Sequence, residues 1–241
     1  MTLKTQLRAV ITGASSGIGK ATALAFAQAG INLVLISRNQ SKLDEVAQAA
    51  SAYGVEVKTY SVDLSEVEQV KEKIEAVLND ISPVDILINN AGMGYTSTLM
   101  DTSLSDWQQV LNLNLTSVFQ CIQAVLPQMR QRQHGTIINV ASIAGHQTFP
   151  EWGAYCVSKF GLIALSKTLA AEERPHGIRV MTISPGSVNS PIWDTETVQA
   201  DFDRSKMLTP EVVAQTILYA VLLPTSAAIE DLLLLPNVGT F

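Results

Sequence analysis

The sequence predicts one α/β domain, a doubly wound parallel β-sheet with helices on both of its faces. Short apolar runs of strand length alternate along the 241 residues with longer segments of helical periodicity. Hydrophobic residues make up 47% of the chain and charged residues only 16%, enough apolar material for one large core. Because no linker, repeat or low-complexity segment interrupts this alternation, a single domain is expected over residues 1–241.

The first half of the chain is predicted to supply four strands. The apolar run Ala9–Ile11 leads into a glycine-rich turn, and the helix that this turn opens runs to Ala29 and stops at Gly30. Pro83 precedes the fourth strand. The remaining predicted elements are strand Asn32–Ile36, helix Gln40–Tyr53, strand Val55–Val62, helix Glu66–Leu78 and strand Asp85–Ile88.

The second half of the chain continues the alternation. A long helical stretch runs from about Ser105 to Arg132. Residues 191–208 have little regular periodicity, which predicts a mobile substrate loop over about 187–208. The other predicted elements are strand Thr136–Ala141, helix Tyr155–Arg174, strand Ile178–Ile183, helix Pro210–Leu222 and strand Asp231–Leu235.

The glycine-rich turn between the first strand and the first helix predicts a phosphate site. It reads Thr12-Gly13-Ala14-Ser15-Ser16-Gly17-Ile18-Gly19. Glycines allow a phosphate to approach the backbone closely, and a helix N-terminus favours an anion. The order of strand, glycine turn and helix therefore indicates a Rossmann-type dinucleotide-binding fold.

Residues after the next strands are expected in the same crevice, since ligands of parallel sheets bind at the carboxyl ends of the strands. Arg38 follows the second strand, with no acid at Ser37. An arginine there suits the 2′-phosphate of NADP, whereas an acid would suit NAD; an ordinary solvated arginine is the alternative. Asp63 either bonds an adenine edge or caps the next helix, for which Ser65 competes. The segment Asn89-Asn90-Ala91-Gly92 follows the fourth strand.

Tyr155 and Lys159 stand four residues apart in a predicted helix, so both project from one face. At ~5 Å and an effective dielectric of ~20, the ammonium favours the phenolate by roughly 3 kcal/mol, about 2 pKa units. Such a phenol exchanges protons with a substrate oxygen near neutral pH. Two unrelated surface side chains are the alternative. Ser142, after the fifth strand, is expected to converge on the same crevice.

Three further positions have two interpretations each. Asn114 is either an exposed asparagine, or its side chain or a distorted backbone holds a water beside the lysine. Trp152 and Trp193 either line a substrate pocket or only pack in the fold.

Composition argues against several classes of protein. The net charge of −6, without a basic block, disfavours nucleic-acid binding. Cys121 and Cys156 do not suggest a disulfide framework, and the three histidines lack metal-ligand spacing. We find no signal-peptide pattern and no apolar run near the ~18 residues of a membrane helix, so a cytoplasmic protein is expected.

Together, these residues resemble the short-chain dehydrogenase/reductase family, in its compact NADP-preferring branch. The resemblance extends from about Leu7 to Val238. The motifs that carry it are Thr12-Gly13-xxx-Gly17-Ile18-Gly19, Asn89-Asn90-Ala91-Gly92, Asn114, Ser142, Tyr155-xxx-Lys159 and Pro185-Gly186.

The resemblance implies a role for each matching residue. Tyr155 would be the general acid in reduction and the base in oxidation, with Lys159 lowering its pKa and holding the nicotinamide ribose. Ser142 would orient the substrate oxygen, and Asn114 would support a water that relays protons to Lys159. The implied NADP(H) contacts are Gly13, Ser15, Ser16, Gly17, Ile18, Gly19, Arg38, Asp63, Leu64, Asn90, Ala91, Gly92, Tyr155, Lys159, Pro185, Gly186, Val188 and Ser190.

Two of these positions depart from the family pattern. Ser190 stands where threonine is frequent, and it keeps the hydroxyl. Ser16 stands where some NADP-using relatives carry a base, so the NADP prediction rests mainly on Arg38.

Three functions are compatible with the sequence. The first is an NADPH-dependent reductase of a small or medium carbonyl, or an alcohol dehydrogenase in reverse. The second is a 3-oxoacyl-(acyl-carrier-protein) reductase, whose acidic carrier needs a basic docking patch that Arg130, Arg132 and Arg174 could form. The third is a non-catalytic NADP-binding sensor or scaffold. The apolar circumference of the helices over 105–132 and 155–174, with the resemblance, predicts a homo-oligomer, a tetramer rather than a dimer.

Overall fold

One parallel β-sheet forms the centre of the computed structural model, which describes residues 6–81, 83–200 and 202–239. All strand pairs within these residues are parallel, and the order is β3-β2-β1-β4-β5-β6-β7. Strands β2 and β3 are added on one side of β1, and β4 to β7 on the other, so the topological switch point lies between β1 and β4. The strands are β1 Arg8–Thr12, β2 Asn32–Ser37, β3 Val57–Ser61, β4 Ile86–Asn89, β5 Gly135–Val140, β6 Ile178–Pro185 and β7 Asp231–Leu234.

Helices cover both faces of the sheet and enclose two apolar cores. One core lies under α1, α2 and α7, and the other under α3, α5 and α6. The side chains of β1 alternate between them, with Ala9 and Ile11 in one and Val10 in the other. The predicted doubly wound fold is therefore confirmed. The helices are α1 Gly17–Gln28, α2 Gln40–Ser51, α3 Val67–Ile81, α4 Leu104–Leu111, α5 Ser117–Arg132, α6 Gly153–Glu173 and α7 Pro210–Leu222.

The predicted long helix contains a turn of distorted backbone. Residues Asn112–Thr116 form a π-helical turn between α4 and α5, in which the Ser117 N–H donates to the Asn112 carbonyl five residues earlier. By length and composition alone, the run Leu104–Arg132 is apolar enough to cross a membrane, contrary to the prediction that no segment would be. Its buried side chains instead pack in the core that it shares with α3, as in an inner helix of an α/β domain.

The loop over 187–208 is more structured than the sequence predicts. It contains two short 3₁₀ turns, Pro191–Asp194 and Arg204–Lys206, and is fastened at several points to the rest of the fold. The Leu208 N–H donates to the Ser187 carbonyl at 2.9 Å, closing the base of the loop. Asp201, which falls inside this predicted loop, lies outside the described residues.

Candidate active site

Two connected cavities open at the carboxyl edge of the sheet. The larger is a cleft of about 800 Å³ and the smaller a pocket of about 140 Å³. Most of the predicted cofactor residues line the cleft: Gly13, Ser15, Ser16, Gly17, Ile18, Arg38, Asp63, Leu64, Asn90, Ala91, Gly92, Tyr155, Lys159 and Ser190. Three others, Pro185, Gly186 and Val188, line the pocket instead, as does Ser142.

The glycine turn at the floor of the cleft needs its glycines. Gly13 has φ +65° and Gly17 has φ +52°, the left-handed region that side chains rarely adopt. A Cβ on Gly13 would lie 2.9 Å from the Ala91 Cα, and a Cβ on Gly19 would clash with the Gly13 carbonyl oxygen. Gly19 thus contributes close packing of helix and turn rather than a surface of the cleft.

Thr12 and Asn90 lock the glycine turn against the segment that follows β4. The Thr12 hydroxyl accepts hydrogen bonds from the N–H groups of Asn90 (3.0 Å) and Ala91 (3.1 Å). The Asn90 side-chain amide donates to the Thr12 carbonyl at 3.0 Å. Since Ser16, at the N-cap of α1, makes no side-chain cap bond, the N–H groups of the first helical turn are left for an anion in the cleft.

The far end of the cleft carries two cations beyond β2. Arg38 extends into solvent, with its side chain 69% exposed and its guanidinium 3.9 Å from an Asp63 carboxylate oxygen. Lys42, in the first turn of α2, also lines the cleft. Lys42 is not among the residues predicted from the sequence. It stands four residues after Arg38 and three after Asn39, a residue type that caps helices, and the Asn39 side chain does accept from the Lys42 N–H.

Asp63 is held in a local turn and faces Arg38. Its Oδ1 accepts bonds from the Ser65 N–H (2.9 Å) and the Ser65 hydroxyl (2.6 Å). Partial burial works in the opposite direction, but these bonds and the Arg38 charge lower the pKa of Asp63 below its usual value. The structure therefore assigns Asp63 a turn-forming role, while adenine recognition stays a prediction.

Tyr155 lies at the junction of the two cavities and lines both. Ser142 stands on the pocket side and Lys159 on the cleft side. The Lys159 ammonium is 5.6 Å from the centroid of the Tyr155 ring and donates to the Val140 carbonyl at 3.0 Å. The Ser142 hydroxyl accepts from the Ala144 N–H at 3.1 Å, which fixes its position. The predicted convergence of these three side chains is thus present in the structure.

The direction of the Tyr155 pKa shift differs from the sequence prediction. Burial raises the pKa of Tyr155 to about 12, although its hydrogen bond to the Ser142 side chain acts to lower it. Burial also lowers the pKa of Lys159, to about 8. Helical spacing predicts the neighbouring charge but not the desolvation, which disfavours phenolate and ammonium alike. The prediction of a near-neutral phenol is wrong for the protein by itself: at neutral pH Tyr155 carries its proton.

Asn114 is fully buried, which excludes the exposed alternative. Its amide bonds both backbone groups of Met93, at 2.8 Å to the N–H and 2.9 Å to the carbonyl, and donates to the Ser158 hydroxyl at 3.1 Å. A Cβ on Gly92 would lie 3.1 Å from the Asn114 Oδ1 and 3.8 Å from the Lys159 nitrogen, so the three residues are neighbours. Asn114 therefore positions the floor beside Lys159, and the water relay stays a prediction.

These cavities fit a dinucleotide. The cleft is long and polar at the glycine turn and basic at Arg38 and Lys42, and it reaches the pocket at Tyr155. At these glycines a Cβ would clash with neighbouring atoms or require a strained backbone, as expected where a phosphate approaches the backbone. Fold and site together define a dinucleotide-binding oxidoreductase of the doubly wound α/β class.

The chain belongs to the short chain dehydrogenase family, whose family model matches residues 8–201. It is 34% identical over 235 residues to an uncharacterized oxidoreductase of Staphylococcus saprophyticus, with 95% of each chain covered. It is 35% identical over 216 residues to the 3-oxoacyl-(acyl-carrier-protein) reductase of Thermotoga maritima, covering 87% of this chain and 88% of the relative.

Solved structures show the same architecture. An alcohol dehydrogenase from Thermococcus sibiricus, complexed with 5-hydroxy-NADP, superposes with a TM-score of 0.86 at 30% identity. The match covers 95% of this chain and 96% of that one. A metagenomic short-chain oxidoreductase in complex with NADP gives a TM-score of 0.84 at 29% identity, covering 96% and 97% of the two chains.

Proposed function

We propose that the protein is an NADPH-dependent carbonyl reductase that also oxidises the corresponding secondary alcohol, with Tyr155 as its general acid and base. The observation that carries this proposal is the position of Tyr155 in the wall shared by cleft and pocket, between Lys159 and Ser142. A bound dinucleotide in the cleft and a carbonyl in the pocket would meet at this phenol.

Each side chain then has a separate task. Bound NADPH supplies the hydride. The Ser142 hydroxyl orients the substrate oxygen, and Tyr155 gives it a proton as negative charge develops there. A phenol whose pKa is about 12 holds its proton at neutral pH and releases it to a more basic alkoxide, as reduction requires. The Lys159 ammonium beside the phenol balances the charge that the proton leaves behind.

NADPH is preferred in this proposal because two of the residues that line the cleft beyond β2 are cations. Arg38 and Lys42 stand there without an acid at Ser37. Two relatives in the solved structures hold NADP or its 5-hydroxy derivative, which supports the same cofactor.

A 3-oxoacyl-(acyl-carrier-protein) reductase is the second candidate, favoured by the Thermotoga maritima relative. The expected basic docking patch is not at the cleft. Arg132 binds Asp85 and the Val84 carbonyl before β4, and Arg130 pairs with Glu173 at the far end of α6. These groups lie at the amino edge of the sheet, opposite the site, and are neutralised by acids, as is Arg174 by Glu230. A non-catalytic sensor has less support, since Tyr155, Lys159 and Ser142 are all in place.

A substrate panel with NADPH tests the proposed function. Carbonyls of several sizes and charges are offered, and consumption of NADPH is followed at its nicotinamide absorbance together with the alcohol product. Turnover of free ketones supports the reductase. Turnover confined to carrier-bound thioesters would support the second candidate, and NADPH binding without any turnover would support the sensor.

Affinity for NADPH should fall as pH rises through about 8. The Lys159 ammonium is charged below that pH and neutral above it, so its hydrogen bonds to the cofactor lose their charge assistance. The 2′-phosphate is already ionised at pH 7 and adds no opposing change. We expect the Kd, measured by NADPH fluorescence, to rise several-fold between about pH 7 and pH 9.5.

Two variants control this pH dependence. Lys159→Met should bind NADPH more weakly at every pH, with little change in Kd across the range, and should also lose turnover. Lys167→Met removes an exposed ammonium from the same helix, where it faces Asp231 at 3.6 Å, and should keep the wild-type profile. A pH dependence that survives in Lys159→Met would contradict the assignment.

A homo-oligomer, with a tetramer preferred over a dimer, is supported by two separate apolar surfaces. Phe119, Val157 and Phe160 are exposed on α5 and α6, while most other apolar residues of these helices are buried. A second group of exposed apolar side chains consists of Tyr219 and Leu222 on α7 and Leu233 on the edge strand β7. Two groups of exposed apolar side chains among the described residues suit a tetramer, which uses two kinds of contact.

Light scattering at micromolar concentration tests the assembly. The wild type should be a multiple of the 26.0 kDa chain, and Phe160→Asp should reduce its size because a carboxylate then enters the contact. Gln48→Asp, the same added charge on exposed α2, should leave the size unchanged. A wild-type monomer would contradict the prediction.

The reducing, cytoplasmic setting also stays a prediction, in keeping with two buried, free cysteines.

A further inference from the structure

The pocket beside Tyr155 has an aromatic wall that continues from the phenol to the substrate loop. Trp152 contacts Tyr155 edge to face, with ring centroids 5.4 Å apart and an interplanar angle of 68°. Trp193 contacts Trp152 in the same way at 5.8 Å, and Phe202 contacts Trp193 at 5.4 Å. Phe149 also lines the pocket. We infer that the substrate is an uncharged ketone whose carbonyl carries a single ring-sized apolar group, preferably aromatic; this inference rests on the proposed function.

The two tryptophans are fixed before any substrate enters. The Trp193 indole N–H donates to the Val188 carbonyl at 2.7 Å, across its own turn. Trp152 follows Glu151, which has φ +67° and whose carbonyl accepts from the Ser97 N–H at 2.7 Å. A non-glycine residue keeps a positive φ only where its surroundings enforce that conformation, so the backbone that precedes Trp152 is held in place.

Arg204 ties the turn that carries Trp193 to the rest of the substrate loop. Its guanidinium bonds the Asn189 side chain at 2.9 Å, the Asp194 carboxylate at 2.6 Å and the Ser190 carbonyl at 3.1 Å. The wall is thus preformed, which reduces the ordering cost of binding a rigid ring.

Volume limits the apolar part of the substrate. The pocket measures about 140 Å³. An apolar cavity of about 150 Å³ accommodates benzene. One ring therefore fills the pocket beside Ser142 and Tyr155, whereas most of a long acyl chain would lie outside it. Edge and face contacts with Trp152 and Trp193 favour an aromatic ring over an alkyl group of equal size.

Charge limits the substrate further. Among the described residues, none that lines the pocket carries a charge. The polar side-chain groups that line it are the hydroxyls of Ser142, Tyr155, Ser187 and Ser190 and the indole N–H groups of Trp152 and Trp193. A carboxylate placed there would lose its hydration without gaining a cationic partner. The Trp193 indole N–H is already bonded to the Val188 carbonyl. Free 3-oxo acids and other anionic ketones are therefore disfavoured.

Matched substrates test the inference. Acetophenone and 4-acetylbenzoate present the same ketone, without and with a carboxylate, and the N-acetylcysteamine thioester of acetoacetate represents a carrier-bound substrate. We measure kcat/KM with NADPH, and we measure binding of each compound to the protein–NADP⁺ complex by calorimetry. Acetophenone should exceed both others at least roughly tenfold in kcat/KM and in affinity.

Variants of the wall supply the second arm. Trp193→Ala should weaken acetophenone binding and lower kcat/KM roughly tenfold or more, because the ring loses one side of its pocket. Trp193→Phe keeps a ring but not the bond to Val188 and should fall between Trp193→Ala and the wild type. Trp107→Phe, on α4 and away from both cavities, should match the wild type, and all three should bind NADPH alike.

The outcomes separate the two proposals. One outcome is that acetophenone binds selectively, that Trp193→Ala weakens this binding, and that acetophenone is never reduced. This outcome would overturn the proposed function and support the pocket assignment. Equal or better binding and turnover of 4-acetylbenzoate or the thioester would overturn the pocket assignment and leave the reductase intact. Unchanged acetophenone binding in Trp193→Ala would also overturn the pocket assignment.

Discussion

Replacing Tyr155 by phenylalanine should lower kcat/KM for carbonyl reduction by ~10²–10⁴-fold, the contribution typical of a positioned general acid. The substitution removes only the hydroxyl, so the ring that contacts Trp152 and separates cleft from pocket remains. Affinity for NADPH should therefore stay within a few-fold of wild type. The loss should appear in kcat as well as in kcat/KM, since the proton is needed in the transition state.

A second tyrosine provides the matched control. Tyr53 lies at the surface, where its hydroxyl accepts a bond from the Gln28 side chain at 3.0 Å, and Tyr53→Phe should leave the kinetics unchanged. If Tyr155→Phe kept a tenth of the wild-type rate, another group would have to supply the proton.

Replacing Arg38 by aspartate should reverse the cofactor preference. A hydrogen bond to a charged group contributes ~1.5–3 kcal/mol, so the Arg38 contact should favour NADPH over NADH by roughly 10- to 150-fold in wild type. The aspartate repels the 2′-phosphate and offers the 2′-hydroxyl of NADH an acceptor. The Asp63 carboxylate, which faces the guanidinium in wild type, adds to that repulsion once Arg38 is gone.

The measurement is kcat/KM for both cofactors with one carbonyl substrate. Lys42→Ala should weaken the NADPH preference less, since Arg38 remains. Arg174→Asp makes the same change of charge at the opposite edge of the sheet, where Arg174 pairs with Glu230, and should leave the preference intact. A wild-type ratio near one, or a preference that Arg38→Asp does not alter, would mean that Arg38 is only a solvated residue.

The fold and the position of the site follow from local patterns in the sequence. The glycine turn, the residues after each strand and the four-residue spacing of Tyr155 and Lys159 are set by neighbouring residues and by the rule that parallel strands share a carboxyl edge. Helix α7 begins at Pro210 as predicted, because Thr209 accepts from the Val212 N–H and caps it. The fold was therefore predictable, apart from shifts of a few residues at element ends.

Properties that depend on distant parts of the chain could not be predicted. The pKa of Tyr155 is governed by burial, which depends on packing from several elements. The π-turn around Asn114 was anticipated only as one alternative, and its bonds to Met93 join segments that lie 21 residues apart. The arginines that the sequence suggested as a docking patch lie at the edge of the sheet opposite the site, a position that the sequence alone does not give. Trp152 and Trp193 were predicted to line a pocket only as one of two alternatives, and both line it. The contact between them joins positions 41 residues apart, so the fold is needed to reveal it.

A ketone in the pocket should receive hydride from NADPH in the cleft and a proton from Tyr155, which lies where the two cavities meet. The most direct test supplies NADPH deuterated at nicotinamide C4, on the side that is transferred, with acetophenone, and examines the product by mass spectrometry and NMR. We predict 1-phenylethanol carrying one deuterium on its carbinol carbon, formed by the wild type and at least about 100-fold more slowly by Tyr155→Phe. An alcohol without deuterium, or none from any neutral ketone while NADPH binds, would contradict the account.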